Sequence, residues 1–285
     1  MENLNIHFVA GPLWSQISTH IMMCLIAIIN GWQIIILKKR GRKTSFETLL
    51  LSLSLCELMM AIVGIIIAAT LRIEALMPYH VLMEATWIIS SSCVVLSEYF
   101  HLLAITFDRT LAIVTPLKHR SYVTNKKIVF TCIFCSFMPV VWVSIYVAVF
   151  FLKRISPGNI EDYYKSEFCF HGSIITIFVD ITLMMCYSVM IHTISKRDRN
   201  PVGESNERVR HLHAKTLFLC ISYAAVFVIA TTPFVIVFLV PHKLPEWMVN
   251  SIMSFFTLNS FFNSLVFLIQ HYYKKRQITS RIGGT

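Results

Sequence analysis

Charged side chains are scarce in this 285-residue chain. They make up 14 % of it, while 56 % of the residues are hydrophobic. Soluble domains carry about 25 % charged and about 45–50 % apolar residues. A water-soluble globule is excluded, because so few polar groups would not cover so much apolar surface, and the excess points to the bilayer. Also missing are internal repeats, heptads, low-complexity tracts and any separate soluble domain. No apolar stretch holds a paired metal-ligand or nucleophile–base motif, which sets aside an intramembrane enzyme. The outer segments carry no Asn-x-Ser/Thr acceptor, hence no sequence-readable glycan. Paired outer cysteines are missing too. Of eight cysteines, Cys24, Cys56, Cys93, Cys132, Cys135, Cys186 and Cys220 lie in apolar runs, where the thiol acts as a small hydrophobe. Cys169 alone falls in an outer loop, so no disulfide is expected.

What is present is a series of seven apolar stretches, at roughly 14–37, 48–71, 84–115, 127–152, 172–195, 214–240 and 247–270, each reaching the ~20 residues a membrane helix needs. They must be helices, since lipid offers no partner for unpaired backbone groups. The expected fold is an all-α membrane protein, a single seven-helix bundle over residues 1–285. The formal charge of +10 raises the question of nucleic acid. Its distribution answers it. The basic clusters at Lys38–Lys43, Lys118–Lys127, Lys196–Lys215 and Lys274–Arg276 abut the spans, and none is interleaved with aromatics as a base-stacking surface would be. Only five of the 25 basic residues, Arg72, Lys153, Arg154, Lys165 and Lys243, fall on the opposite side. That bias places the N-terminus outside and a short tail in the cytoplasm. Residues 1–13 lack a basic n-region and a cleavage site, so the first span reads as an uncleaved signal-anchor.

Charge inside a span is costly and marks function. In the third span Glu98, Leu102, Ile105 and Arg109 recur at i, i+4, i+7 and i+11, one stripe on one helical face. The face must turn into the bundle, because lipid does not solvate Glu98. Arg109 then lies roughly 16 Å below Glu98, at the cytoplasmic boundary. There Asp108 and Arg109 can pair internally or meet a cytoplasmic partner. The plainer alternative is an arginine snorkelling at a helix end. Asp180 and His101 are single polar residues within spans, read as interhelical contacts.

The stretch DRTLAIVTPL, Asp108 to Leu117, resembles the Asp-Arg-Tyr-x-x-Ala-Ile-x-x-Pro-Leu signature of rhodopsin-like (class A) G-protein-coupled receptors. Thr110 stands in for the tyrosine, and Ala112, Ile113, Pro116 and Leu117 match. Asn30 fits the first-span asparagine, Glu57 in LSLSLCEL the second-span acid, Trp142 the fourth-span tryptophan and Tyr187 the low fifth-span tyrosine. FVIATTP matches Phe-x-x-Cys-Trp-x-Pro at Phe227 and Pro233, and NSLVF, Asn263 to Phe267, is a degraded Asn-Pro-x-x-Tyr. Tyr272, Tyr273 and a basic stretch follow. The motifs fall in order on the right spans.

The resemblance implies a receptor that couples an outer ligand to a heterotrimeric G protein in the plasma membrane. Asp108, Arg109, Pro116 and Tyr187 would serve coupling, and Phe227, Pro233 and Phe267 the switch. A proline in mid-helix removes a hydrogen bond and kinks the chain, which in the family lets the sixth helix swing out beside Arg109. The family's sodium site would fall on Glu57, Glu98, Asn259, Ser260 and Asn263, with Asn30 beside it. Glu98 takes the place of a serine, so two carboxylates share the site and cannot both ionise cheaply. A hydrogen-bonded network without an ion is the alternative. No other cofactor is implied.

Departures qualify the resemblance. Glu84 stands where the family has the third-span cysteine, Val179 and Ser264 where it has prolines, and Thr231 where it has a tryptophan. Loss of the outer cysteine and the fifth-span proline resembles melanocortin and lysophospholipid receptors. Ser91 replaces the aspartate by which amine receptors hold their ligand, so a biogenic amine is disfavoured. Glu74, Glu84, Glu161, Asp162 and Glu167 are offset by nearby basic residues, and electrostatics leaves the ligand unknown. At the cytoplasmic start of the sixth span, where the family often pairs an acid with the third-span arginine, RVRHLHAK offers His213. The rival class is a seven-helix ion or proton transporter or channel, with Glu57, Glu98, Asp180 and His101 as the path. Seven spans without a repeat argue against it.

Overall fold

The computed structural model describes residues 13–39, 44–70, 80–152 and 169–199, together with scattered positions between 218 and 235 and between 260 and 272. Among these residues every regular element is a helix. They are α1 (Leu13–Lys39), α2 (Ser45–Thr70), α3 (His80–Val114), α4 (Pro116–Tyr122), α5 (Asn125–Leu152), α6 (Cys169–Arg199) and the short apolar α7 (Ser260–Ile269). The stretches His20–Lys39, Ser45–Ile67, Asn125–Ile145 and His171–Lys196 are each long and apolar enough to cross a bilayer. Phe227, Asn259, Glu207 and His213 lie outside the described residues. Cys169, read from the sequence as an outer-loop residue, is instead the first residue of α6.

Local chemistry sets the helix starts. Thr44 and Glu47 form a reciprocal cap on α2: the Thr44 N–H donates to Glu47 Oε2 at 3.1 Å and the Glu47 N–H donates to Thr44 Oγ1 at 3.2 Å. α4 opens on Pro116, whose fixed φ suits a first helical turn and whose missing N–H costs nothing there. Along α6 the hydroxyls of Thr182, Ser188 and Thr193 each donate at 2.8 Å to the carbonyl four residues back. A polar side chain satisfied by its own helix can sit on an apolar face without an unpaired donor.

α3 is the centre of the bundle. It packs against α2, α5 and α6 and carries α4 at its end. At 35 residues it runs about 52 Å. One core joins Leu96, Tyr99, Leu102 and Ile113 of α3 to Val179, Leu183, Tyr187 and Met190 of α6. A second, at the start of α2, joins Leu37, Phe46, Leu49, Leu50, Leu53, Ile105, Ile128 and Phe267. The buried face of α6 recurs every three or four residues, while its other face shows Phe178, Ile181, Met184 and Met185 outward. A soluble helix would turn charge outward. Here both faces are apolar, which suits a surround of lipid.

Candidate functional site

The end of α3 gathers charge. Arg109 donates from Nε to Asp108 Oδ2 at 2.9 Å, and its Nη2 donates to the same oxygen. Nη2 also donates to Ser45 Oγ at 3.1 Å, and the guanidinium lies 5.3 Å from the centroid of the Phe46 ring. The first turn of α2 therefore forms the wall against which Arg109 rests. The other oxygen of Asp108, Oδ1, is 2.9 Å from His119 Nε2 on α4. Asp108 is buried, and Arg109 and His119 are mostly covered. A buried carboxylate with both oxygens engaged by cationic or donor groups meets the condition under which burying charge is tolerable. The pairing rigidifies three elements, α2, α3 and α4, around one carboxylate.

Pro116 starts α4, whose next residue, Leu117, is 83 % exposed. Thr110, at the position of the family's tyrosine, turns its hydroxyl back to the Thr106 carbonyl at 2.8 Å. The Thr106 hydroxyl in turn shares a 3.1 Å hydrogen bond with the Tyr187 hydroxyl, which ties α3 to α6. Phe267 packs into the same core as Phe46 and stacks on His271 at 6.2 Å. The wall behind Arg109 is thus continuous with α7. Pro233 is a partly buried helical residue, and beside it Thr232 Oγ1 donates to the Val228 carbonyl at 2.6 Å.

A second polar cluster lies deeper. Asn30 donates from Nδ2 to the Ile26 carbonyl at 3.1 Å and accepts from Ser264 Oγ at 2.6 Å. Ser260 Oγ donates to Glu98 Oε1. Glu57 has Glu98, Cys56 and the amides of Asn30 and Asn263 as polar neighbours, and no lysine, arginine or histidine among the described residues acts on it. Glu57 and Asn263 are each 1 % exposed. Despite their proximity, Glu57 Oε1 and both amide atoms of Asn263 are buried without a hydrogen bond of normal geometry. The structure therefore brings Asn30, Glu57, Glu98, Ser260 and Asn263 into one cluster across α1, α2, α3 and α7.

His101 belongs to a different network. Its Nδ1 lies 2.7 Å from the Ser97 carbonyl, which can only accept, so Nδ1 carries a proton. Its Nε2 is 2.9 Å from Ser52 Oγ on α2. Ser97 Oγ, Cys56 Sγ and Ser136 Oγ continue the chain into α5 at 3.5 Å steps. Asp180, on α6, lies near Tyr99 of α3, and its Oδ1 is buried without a hydrogen-bond partner.

Sequence reasoning missed Ser45, Phe46, His119 and Thr106. Ser45 is 64 residues from Arg109, and no local pattern relates them. His119 had a signal: it follows Asp108 by eleven residues, two past the end of the Asp108–Leu117 motif.

Membrane-length helices packed around a charged central helix define a multi-pass helical membrane protein. A family signature, the 7 transmembrane receptor (rhodopsin family), matches residues 33–266, most of the chain. The chain belongs to that family and is a G-protein-coupled receptor. No curated protein matches it.

Proposed function

We propose that this receptor sits in the plasma membrane and passes an extracellular signal to a heterotrimeric G protein through the cytoplasmic end of α3, with Arg109 as the coupling side chain. The observation that carries the proposal is the junction at Asp108, where Arg109 is held against Ser45 and Phe46 while His119 anchors α4. Among the described residues only the Ser45 hydroxyl and the Phe46 ring tie Arg109 to α2, so a small displacement of α2 against α3 frees the arginine from that wall while its pairing with Asp108 travels with α3. Two-state bundles use such contacts to convert a small shift into a discrete change. Pro116 and Leu117 offer an apolar projection beside the released arginine, and Tyr187 holds α6 in register with α3. Phe227, Pro233 and Phe267 would serve the movement of the last two spans. Ser91 occupies the place of the third-span aspartate that holds a biogenic amine, which disfavours that ligand class.

The deeper cluster is proposed as a cation site, sodium being the ion the family resemblance implies. Its chemistry fits: Glu57 Oε1 and Asn263 Oδ1 are unpaired oxygens of the kind a hard cation takes. A bound cation would supply positive charge that the described residues do not bring to Glu57.

Second-messenger output in cells expressing the wild type and Arg109→Ala tests the coupling. Arg109→Ala should lose most G-protein activation, in ligand-free cells and across a ligand library, with surface expression retained. Unchanged signalling from a well-expressed variant would remove Arg109 from the coupling role.

A further inference from the structure

The deeper cluster holds two carboxylates, from Glu57 on α2 and Glu98 on α3, each nearly fully buried. They are close enough to act on one another. Like charges at short range in a medium of low dielectric repel strongly, and a buried charge is tolerated when it is paired or coordinates a metal. Asn263 adds an amide oxygen with no other partner, and Ser260 brings a hydroxyl already on Glu98. Asn30 binds Ile26 and Ser264 and lies beside Glu57, so its amide borders the site.

We infer that Glu57, Glu98, Ser260 and Asn263 form a site for a hard divalent cation, of the Ca²⁺ or Mg²⁺ class, in preference to sodium. The inference rests on reading this core as a cation site and changes the occupant. Two features carry it. The first is charge: a divalent cation balances both carboxylates in their ionised form, so both can ligate it as anions, whereas sodium balances only one and leaves the other to keep its proton. The second is ligand type. Every group aimed at the site is an oxygen or an amide, which suits hard cations and not zinc or copper. The softer ligands nearby are already engaged elsewhere. Cys56 Sγ is taken by Ser97 and Ser136, and His101 by Ser97 and Ser52. Four protein residues leave room for water, as expected for ions that retain part of their hydration shell.

The test uses the purified full chain in lipid nanodiscs, so it does not depend on signalling. Thermal unfolding is followed at constant ionic strength in CaCl2, MgCl2 or NaCl, with choline chloride as the reference. A ligand at concentration c that binds only the folded state stabilises it by RT ln(1 + c/Kd), so Tm rises once c exceeds Kd. Ca²⁺ or Mg²⁺ should raise Tm at concentrations where sodium does not. Glu98→Ser should raise the divalent concentration at which Tm begins to rise by about tenfold or more and leave a sodium response in its place. Glu98→Gln is the second variant. It keeps the volume and the acceptor for Ser260 while removing the charge, and it should weaken the divalent response as strongly. Stabilisation by sodium alone in the wild type would overturn the divalent assignment and leave the cation-site reading intact. A response to none of the three salts would sink both. A divalent response that survives in the Glu57→Gln, Glu98→Gln double variant would place the ion elsewhere and also overturn the inference.

Discussion

His119 Nε2 lies 2.9 Å from Asp108 Oδ1, while Arg109 occupies the opposite oxygen of the same carboxylate. One acid thus holds both the candidate coupling arginine and the helix that follows it. His119→Ala removes the tie to α4, and the exposed Leu117 should lose its fixed position. G-protein activation is expected to fall about two- to fivefold at normal surface expression, the scale of one charge-assisted hydrogen bond discounted for partial exposure. His119→Gln keeps a donor of similar reach and should recover part of the loss. Equal output from His119→Ala and the wild type in a nucleotide-exchange assay would contradict this role.

Ser45 and Phe46 hold Arg109 from the α2 side. If release of the arginine favours the signalling state, Ser45→Ala should raise ligand-free activity. A hydrogen bond to a charged group is worth about 1.5–3 kcal/mol when buried. At the partial exposure of Arg109 about 1 kcal/mol is the better figure, or roughly a fivefold shift in populations. The measurement is basal second messenger per receptor at the surface. A decrease would mean that Ser45 supports the active arrangement.

The sixth span begins in a basic run with His213 where an acid would restrain Arg109. Without that restraint the wild type is expected to signal without ligand. His213→Glu should supply a partner for Arg109 and lower basal activity about two- to fivefold, the range of an exposed ion pair. A wild type silent in the absence of ligand, or no response to the substitution, would shift the explanation to the altered positions Thr231 and Ser264.

Cys169 begins α6, and Glu84 occupies the third-span position at which the family has a cysteine. Cys169→Ser should therefore fold and reach the surface as the wild type does. An impermeant thiol reagent applied to intact cells should label Cys169 in the wild type and lose that label in the variant. A severe folding defect, with a disulfide mapped to Cys169, would refute the expectation.

The apolar spans at His20–Lys39, Ser45–Ile67, Asn125–Ile145 and His171–Lys196 were legible in the sequence because they depend on sums over many residues: apolar length must match bilayer thickness. The inward stripe of α3 was legible for a related reason. Helical periodicity places Glu98, Leu102, Ile105 and Arg109 on one face whatever surrounds them, and an uncompensated carboxylate cannot face lipid. The partners of those residues were another matter. Ser45 reaches Arg109 across 64 residues, Ser260 reaches Glu98 across 162, and Ser264 reaches Asn30 across 234. Serine is common and carries no periodic signal, so only packing of one helix on another selects which hydroxyl meets which charge. The helical state of the loop between the third and fourth spans was not read either, since Pro116–Tyr122 is too short for a hydrophobic period to register. The sequence by itself determined a membrane bundle with a charged central helix, through length, apolarity and the cost of buried charge. Tertiary structure alone decided that Asp108 bridges Arg109 to His119 and that Glu57 and Asn263 keep unpaired atoms in one buried cluster, because those relations exist only once separate helices are brought within hydrogen-bonding distance.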